Sequence, residues 1–432
     1  MLDIKFIRDN PDLISEAARK KRIKFDVNKL ISIDDSRRDL LAQVEEKRQI
    51  QNEFSQKISS ENNSTIKLDF IEKMRVVKAD LQNKEEKLKS IMKEWQTLML
   101  QVPNVPDVSV PDGDNESDNK EIKSWGEIPK FGFTPKGHME IMKNLDLADF
   151  DRGTKVAGFR GYFLKNEAVS LSFAIWQYAF DFFLNKGFSP FIVPSLVRRE
   201  TMMGTGYLPQ GEDDLYKTQD NDYLSGTAEV ATMGYYADET LSINSLPKKM
   251  LSFSPCFRRE AGSYGKDVKG LIRVHEFYKV EQVVICEAEH ETSVKFHEEI
   301  NRNTEEFIES LNIPYRTVVN SGGDLGLGQV KKYDIELWVP LENTYREISS
   351  ASYFHDFQTR RLNIRYKDKE GKTRFAHSLN STAIPTPRIL VSLIENYQQE
   401  DGSVLIPDIL SKYMGGRKRI GSEGVSSDAK KP

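Results

Sequence analysis

The sequence predicts an α+β chain in which a long helical hairpin precedes a domain of mixed strands and helices. Three observations carry this. From residue 66 to 101, Phe70, Met74, Val77, Leu81, Lys84, Leu88, Ile91, Trp95 and Leu98 alternate spacings of four and three, with no Pro or Gly. That is a coiled-coil seam broken only at Lys84. Residues 102–119, VPNVPDVSVPDGDNESDN, are proline-punctuated and acidic, which predicts an extended linker. Residues 248–285 then read as two strands joined by AGSYGKDVKG, a loop rich in turn residues.

The seam needs a partner helix. Residues 36–59 supply one, with Leu40, Val44, Phe54 and Ile58 on a face that also carries Lys47 and Gln51. SSENNST at 59–65 is a polar reversal with Ser64 or Thr65 available as N-cap. So short a connection makes the two helices antiparallel, in an arm at least about 35 Å long. Lys47, Arg48, Lys57, Lys67, Lys73, Arg75 and Lys78 offer phosphate contacts but are interleaved with Glu45, Glu46, Glu53 and Glu72. Charge alone therefore fits a spacer, a protein-binding arm or an RNA-binding arm.

Composition bounds the rest. A chain of 432 residues accommodates two domains, and a net charge of −4 advertises no global affinity for nucleic acid. Two cysteines, Cys256 and Cys286, cannot build a disulfide framework. The start, MLDIKFIRDNPDLI, is unlike a targeting peptide, and no apolar run approaches the ~20 residues of a membrane helix. A soluble, cytoplasmic protein with no membrane association is expected.

Within the second domain, residues 171–184 are apolar on most faces and predict a buried helix, followed by KGFSPFIVPSLV. Thr227-Ala228-Glu229 fits either a strand with Thr and Glu on one side or a helix-capping Thr with a first-turn acid. In the 248–285 hairpin, alternation puts Arg258 and Glu260 on one face, with Phe257 and Arg259 opposite. It likewise groups Arg273, His275, Phe277 and Glu281 against Ile272, Val274, Tyr278 and Val280. Such a face has the parts to hold a phosphate chain, its metal ion and a flat base, and equally suits a solvated hairpin with ordinary charge pairs. Residues 287–311 read as helix. SGGDLGLG at 321–328 lacks the order of a phosphate loop and reads as a turn. Strands follow at 333–340 and 345–350. In HSLNSTAIPTPRILVSLIENYQ, Pro387 opens a helix whose first turn holds Arg388. A cation there opposes the helix dipole, which points to an anionic ligand or a nearby carboxylate. The tail at 417–432 is basic, without apolar pattern, and predicts disorder.

FRRE, its loop and GLIRVHEFYKVEQ together resemble the second signature motif of class II aminoacyl-tRNA synthetases, in the form found in bacterial-type seryl-tRNA synthetases. KGFSPFIVPSLV is similar to the first motif and the Pro387–Arg388 segment to the third, so the resemblance runs from residue 1 to about 416. It implies an antiparallel sheet with flanking helices, in four parts: a tRNA-binding arm at 1–101, a linker at 102–119, a catalytic domain at 120–416 and the tail. It implies catalytic roles for Arg258, Glu260 and Arg388, with Arg258 on the α-phosphate of ATP and Arg388 on the γ-phosphate. ATP contacts extend to Arg259, Arg273, Val274, Phe277 (stacked on adenine), Glu347, Ile348, Ser349 and Ser350. Mg2+ falls to Glu260, Glu347 and Ser350. L-serine falls to Thr227, Ala228, Glu229, Arg258, Glu281, Asn380 and Thr382.

The implied activity is serine–tRNA ligation, with ATP as substrate, Mg2+, a homodimer, and tRNA(Ser) held by the arm; selenocysteine tRNA is left open. Ala351 and Tyr353 depart from the family's usual SSCSN, which puts the pocket wall there in question. Cys256 shares parity with Arg258 and leaves a zinc-dependent variant open. The alternatives are a synthetase-like amino acid ligase or a coiled-coil interaction module. The first is expected to lack the arm, and the second tolerates loss of Arg258, Glu260 or Arg388.

Overall fold

The computed structural model of the chain describes residues 1–262, 265, 267 and 269–421. It divides into two compact units, Met1–Val105 and Pro106–Pro432, so the boundary falls inside the predicted linker.

In the first unit two short helices, Ile4–Asp9 and Pro11–Lys20, precede α1 (Val27–Ser60) and α2 (Ser64–Gln101). At 1.5 Å per residue these long helices run about 51 and 57 Å. The predicted seam is the half-buried face of the hairpin, with Val44 and Leu81 buried outright. Its polar interruptions are paired rather than tolerated. Lys84 Nζ donates to Gln43 Oε1 at 2.7 Å, and Lys47 Nζ lies 3.2 Å from Asp80. The reversal differs in one detail: Asn63, not Ser64 or Thr65, caps α2, its Oδ1 accepting from the Thr65 and Ile66 amides. An amide side chain just before the helix satisfies two orphan donors at once. At the base Leu2, Ile7, Ile14, Val27, Leu30, Met99 and Val102 form a separate core. Beside it, buried Asp34 binds Arg8 at 3.0 Å and Arg37 at 2.8 Å.

The linker is not free chain beyond Val105. Asp107 N donates to Val330 O and Gly322 N to Pro111 O, both at 2.9 Å. Backbone pairing with the second unit holds what composition alone marks as extended.

The second unit is built on an eight-stranded sheet. Its strands are β1 (Lys120–Trp125), β2 (Ser189–Ile192), β3 (Lys248–Phe257), β4 (Glu276–Cys286), β5 (Tyr315–Val319), β6 (Lys331–Val339), β7 (Thr344–His355) and β8 (His377–Thr386). The order is β1-β5-β6-β7-β8-β4-β3-β2, antiparallel throughout except for the edge pair β2–β3. Helices α3 (Asn166–Leu184), α4 (His290–Ser310) and α5 (Arg388–Asn396) contribute to the main core. Between α3 and α4, Phe307 stacks on Tyr178 and Phe183 at 5.0 and 5.7 Å. Gln282 of β4 bonds Ile300 O and Thr304 Oγ1 of α4, so even-numbered positions of β4 face helix and odd ones face away. Helix α3 is buried on one face only, since Phe173 is 55% exposed. The short run of apolar residues hid a second, outward face.

The ordered fold continues past the predicted end at 416. Arg419–Ile420 pairs with Val404–Leu405, and Arg417, Lys418 and Arg419 bind Glu167, Asp408 and Asp401. Basic composition suggested disorder, but acidic neighbours distant in sequence anchor this strand. Residues 422–432 of the predicted tail lie outside the described residues. Phe307→Ala is expected to destabilise the chain by about 3–5 kcal/mol through loss of buried ring and residual cavity, read as a shift in the urea midpoint.

Candidate active site

The strand that carries the predicted chemistry starts later than alternation suggests. Strand β3 stops at Phe257 and β4 begins at Glu276, so Arg258 to His275 belong to the connection. Glu260 sits in the left-handed region at φ 54°. One further backbone bond, Arg258 N to His275 O at 2.9 Å, carries the pairing a step past the regular strands. Period two fails in this connection. Val274 lines the same cavity as Phe277, whereas His275 lines a different, aromatic cleft beside Phe159 and Tyr216.

The cavity gathers Arg258, Glu260, Val274, Phe277, Glu347, Ile348, Ser350, Thr382 and Arg388 around one space. The Arg258 guanidinium lies 5.4 Å over the Phe277 ring and, among the described residues, makes no hydrogen bond or ion pair. Gly226 leaves it room, since a Cβ there would lie 3.1 Å from Arg258 Cγ and 3.2 Å from Nε. At the first position of α5, Arg388 donates to Ile272 O at 2.9 Å and to Glu347 O at 3.0 Å. These are neutral carbonyls, and burial lowers the Arg388 pKa. Two guanidiniums thus face one cavity with incomplete charge compensation, the condition that favours an anion. Glu260 is held by Arg273 Nη1 at 2.5 Å, and Arg273 also reaches Asp267, which binds Arg346.

Deeper in the cavity wall three side chains converge. Lys279 Nζ lies 3.1 Å from Glu281 Oε2 and 3.3 Å from Thr382 Oγ1, and Thr382 Oγ1 is 3.4 Å from Glu281 Oε2. All three are buried. Sequence reasoning missed Lys279. Its signal was present: it shares parity with Phe277 and Glu281 and is the one cation in the apolar run YKVEQVVI.

Nearby, Glu229 opens the short helix Glu229–Gly234, and its amide points to Thr227 Oγ1 at 3.4 Å. Glu229 is thus a first-turn acid, but the N-cap residue is Ala228, one place after Thr227, and no side chain caps the helix. The Glu229 carboxylate is buried, accepting from Gln358 Nε2 at 2.6 Å and Tyr207 Oη at 3.0 Å. Burial pushes Glu229 up to about 7 against the pull of those donors.

Other expected contacts are placed apart from the cavity. Arg259 turns to Asp213 O at 3.1 Å. Ser349 donates to the Thr382 carbonyl from the buried side of β7. Ala228 is buried just ahead of its helix, and Asn380 lies on β8 opposite Val283 and Ser352. The departures Ala351 and Tyr353 do not touch the cavity. Ala351 O accepts from His297, and Tyr353 Oη donates to Asp107 at 2.7 Å. Cys256 is buried beside Ser254, its thiol pKa raised by burial. Among the described residues no group of three His, Cys, Asp or Glu side chains is gathered to hold a metal. Among the described residues no helix is long and apolar enough to cross a membrane.

The raised pKa of Glu229 has a sign. Between its ordinary value of 4.5 and about 7 the folded chain holds the proton that the unfolded chain releases, so this group's contribution to stability falls as pH rises through that window. By pH 8 the cost is about 3 kcal/mol. Glu229→Gln keeps the shape and is expected to raise stability by about 1–3 kcal/mol at pH 8 and little at pH 5. Equal urea-midpoint shifts at both pH values would sink this account.

Residues 1–106 match the family description "Seryl-tRNA synthetase N-terminal domain", and residues 213–397 match "tRNA synthetase class II core domain (G, H, P, S and T)". The chain is 44% identical to the serine–tRNA ligase of Deinococcus radiodurans over 432 residues, covering 98% of this chain and 99% of that protein. It superposes on the seryl-tRNA synthetase of Pyrococcus horikoshii, solved with ATP, with a TM-score of 0.88 and 38% identity, covering 97% of this chain and 99% of that one. Against the cytoplasmic serine–tRNA ligase of Naegleria fowleri, solved with AMP, the TM-score is 0.85 and identity 31%, covering 98% and 99%. With both of its units matched and its full length covered, the chain belongs to the seryl-tRNA synthetases, within class II of the aminoacyl-tRNA synthetases.

Proposed function

We propose that this cavity activates L-serine with ATP and passes it to tRNA(Ser). The observation that carries the reading is the convergence of Arg258 and Arg388 on one cavity whose wall holds Lys279 and Thr382, both in contact with buried Glu281. The two guanidiniums suit the polyphosphate, Arg258 on the α-phosphate and Arg388 on the γ-phosphate, and Phe277 offers a flat face for adenine. Glu281 and Glu229 suit the ammonium group of serine, and Thr382 its hydroxyl.

The chemistry asks little of the protein as a base, because the serine carboxylate is already ionised near neutral pH. That carboxylate attacks the α-phosphorus in line; the P–O bond to the β-phosphate breaks, releasing pyrophosphate and leaving seryl-adenylate. A ribose hydroxyl at the tRNA 3′ end then attacks the activated carbonyl and AMP leaves. Arg258 and Arg388 lower the barrier by neutralising charge that spreads over the phosphoryl oxygens, and the cavity supplies position.

Mg2+ fits the donor set. Glu260, Glu347 and Ser350 line the cavity with hard oxygen donors, and this ion takes one or two carboxylates together with substrate phosphates. It would shield phosphate charge there. Glu260 would then exchange its Arg273 partner for the ion, leaving Arg273 with Asp267.

The arm is the part of this reading that grips tRNA. Lys57, Lys67 and Lys78 have no acidic partner among the described residues, while Lys47, Arg48 and Lys73 are paired. A rigid hairpin with sparse free cations suits recognition of RNA shape through phosphates. A homodimer suits the second unit, whose aromatic cleft leaves Phe159, Phe163 and Phe173 exposed.

ATP–pyrophosphate exchange with serine, threonine, alanine and glycine, without tRNA, tests activation; exchange with serine alone is expected. Exchange driven by another amino acid would discard the assignment of Glu281 and Thr382. Removing residues 45–80 and closing α1 and α2 with a short turn should leave exchange intact and abolish charging of tRNA(Ser). Lys279→Met deprives buried Glu281 of its cation. It is expected to lower kcat/KM for serine about 10–150-fold, the loss of a charge-assisted bond of about 1.5–3 kcal/mol, with KM for ATP little changed.

A further inference from the structure

Outside the cavity, the ends of three elements bring histidines together: His290 starts α4, His355 ends β7 and His377 starts β8. His290 Nδ1 and His355 Nε2 are 3.1 Å apart, and the His377 ring lies 4.8 Å from that of His355. Backbone at His355 is left-handed, φ 49°. Behind His290, its Nε2 lies 3.9 Å from Asp107 Oδ2. Tyr353, one of the sequence departures, donates to that same carboxylate. None of these residues lines the catalytic cavity.

We propose that His290 and His355 form a binding site for a borderline divalent transition metal such as Zn2+ or Cu2+, with the Asp107 carboxylate adding negative charge beside it.

Several observations converge on this. Two imidazole nitrogens bound to one tetrahedral ion at 2.0–2.1 Å stand about 3.3 Å apart, close to the spacing found here. Imidazole is the ligand such ions share. The Asp107 carboxylate, 3.9 Å from His290 Nε2, lies beyond hydrogen-bond distance and adds favourable charge for a cation. The His290 side chain is 57% exposed, so an ion reaches the pair from solvent. No three His, Cys, Asp or Glu side chains already surround one point among the described residues. The two imidazoles are therefore the grip and water completes the shell, with His377 the nearest third imidazole; its Nδ1 is engaged by Ser293 Oγ at 2.8 Å.

The competing arrangement is a plain hydrogen bond, one proton shared between His290 and His355. Titrating the full chain with Cu2+ in the absence of nucleotide, and recording its electron paramagnetic resonance, separates the two. One ion per chain with hyperfine coupling to at least two nitrogens, displaced by Zn2+, is expected. His290→Gln and His355→Gln should each remove that signal, Asp107→Asn should keep it while weakening binding, and His275→Gln should change nothing. His290 is exposed, so its variant folds even where that of His355 does not. Absence of saturable one-to-one uptake overturns the proposal. So does an unchanged two-nitrogen signal in the His290 variant.

Discussion

The pairing of β4 with β8 is the constraint on which the site depends. Glu281 stands opposite Thr382 because the register skips a residue between Val280 and Glu281. That skip brings Lys279, Glu281 and Thr382 into one buried contact. A slip of one residue would turn Glu281 toward α4 and send Gln282, with its bonds to Ile300 and Thr304, into the cavity. Buried polar groups on both faces of one strand therefore specify the register more strictly than apolar packing would.

Charge is divided on the same plan. Guanidiniums without full partners face the cavity, and carboxylates are pushed toward neutrality just outside it. Burial raises Glu229 to about 7, and it raises Asp334 to about 7 although Lys332 lies 3.5 Å away. Gly226 belongs to this arrangement, because a Cβ there would crowd Arg258 and require it to shift by a few tenths of an ångström.

Much of this was legible. The arm's seam, the strands expected at 333–340 and 345–350 and, to within one residue, the helix expected to open at Pro387 follow from spacing and punctuation, which are local properties. The failures were also physical. Alternation was carried through Ile272 to His275, where the chain is not strand, so Val274 and His275 were sent to the wrong sides. Disorder was read into Arg417–Ile420, where acidic partners far along the chain hold a strand. Lys279 was overlooked because a lone cation in an apolar run looks like a surface residue until its partner, supplied by β8, is known.

The sequence by itself determined the helical arm, the hairpin strands around 248–285 in outline and which residues carry charge, because periodicity and turn chemistry act over a few residues. Its resemblance to a known family then named the groups that meet. Only the tertiary structure decided which of them share a cavity, how the Arg273–Glu260 and Lys279–Glu281 pairs form, and that Tyr353 turns away from the cavity toward Asp107. Those outcomes depend on register and burial between residues up to 246 positions apart, which no local pattern encodes.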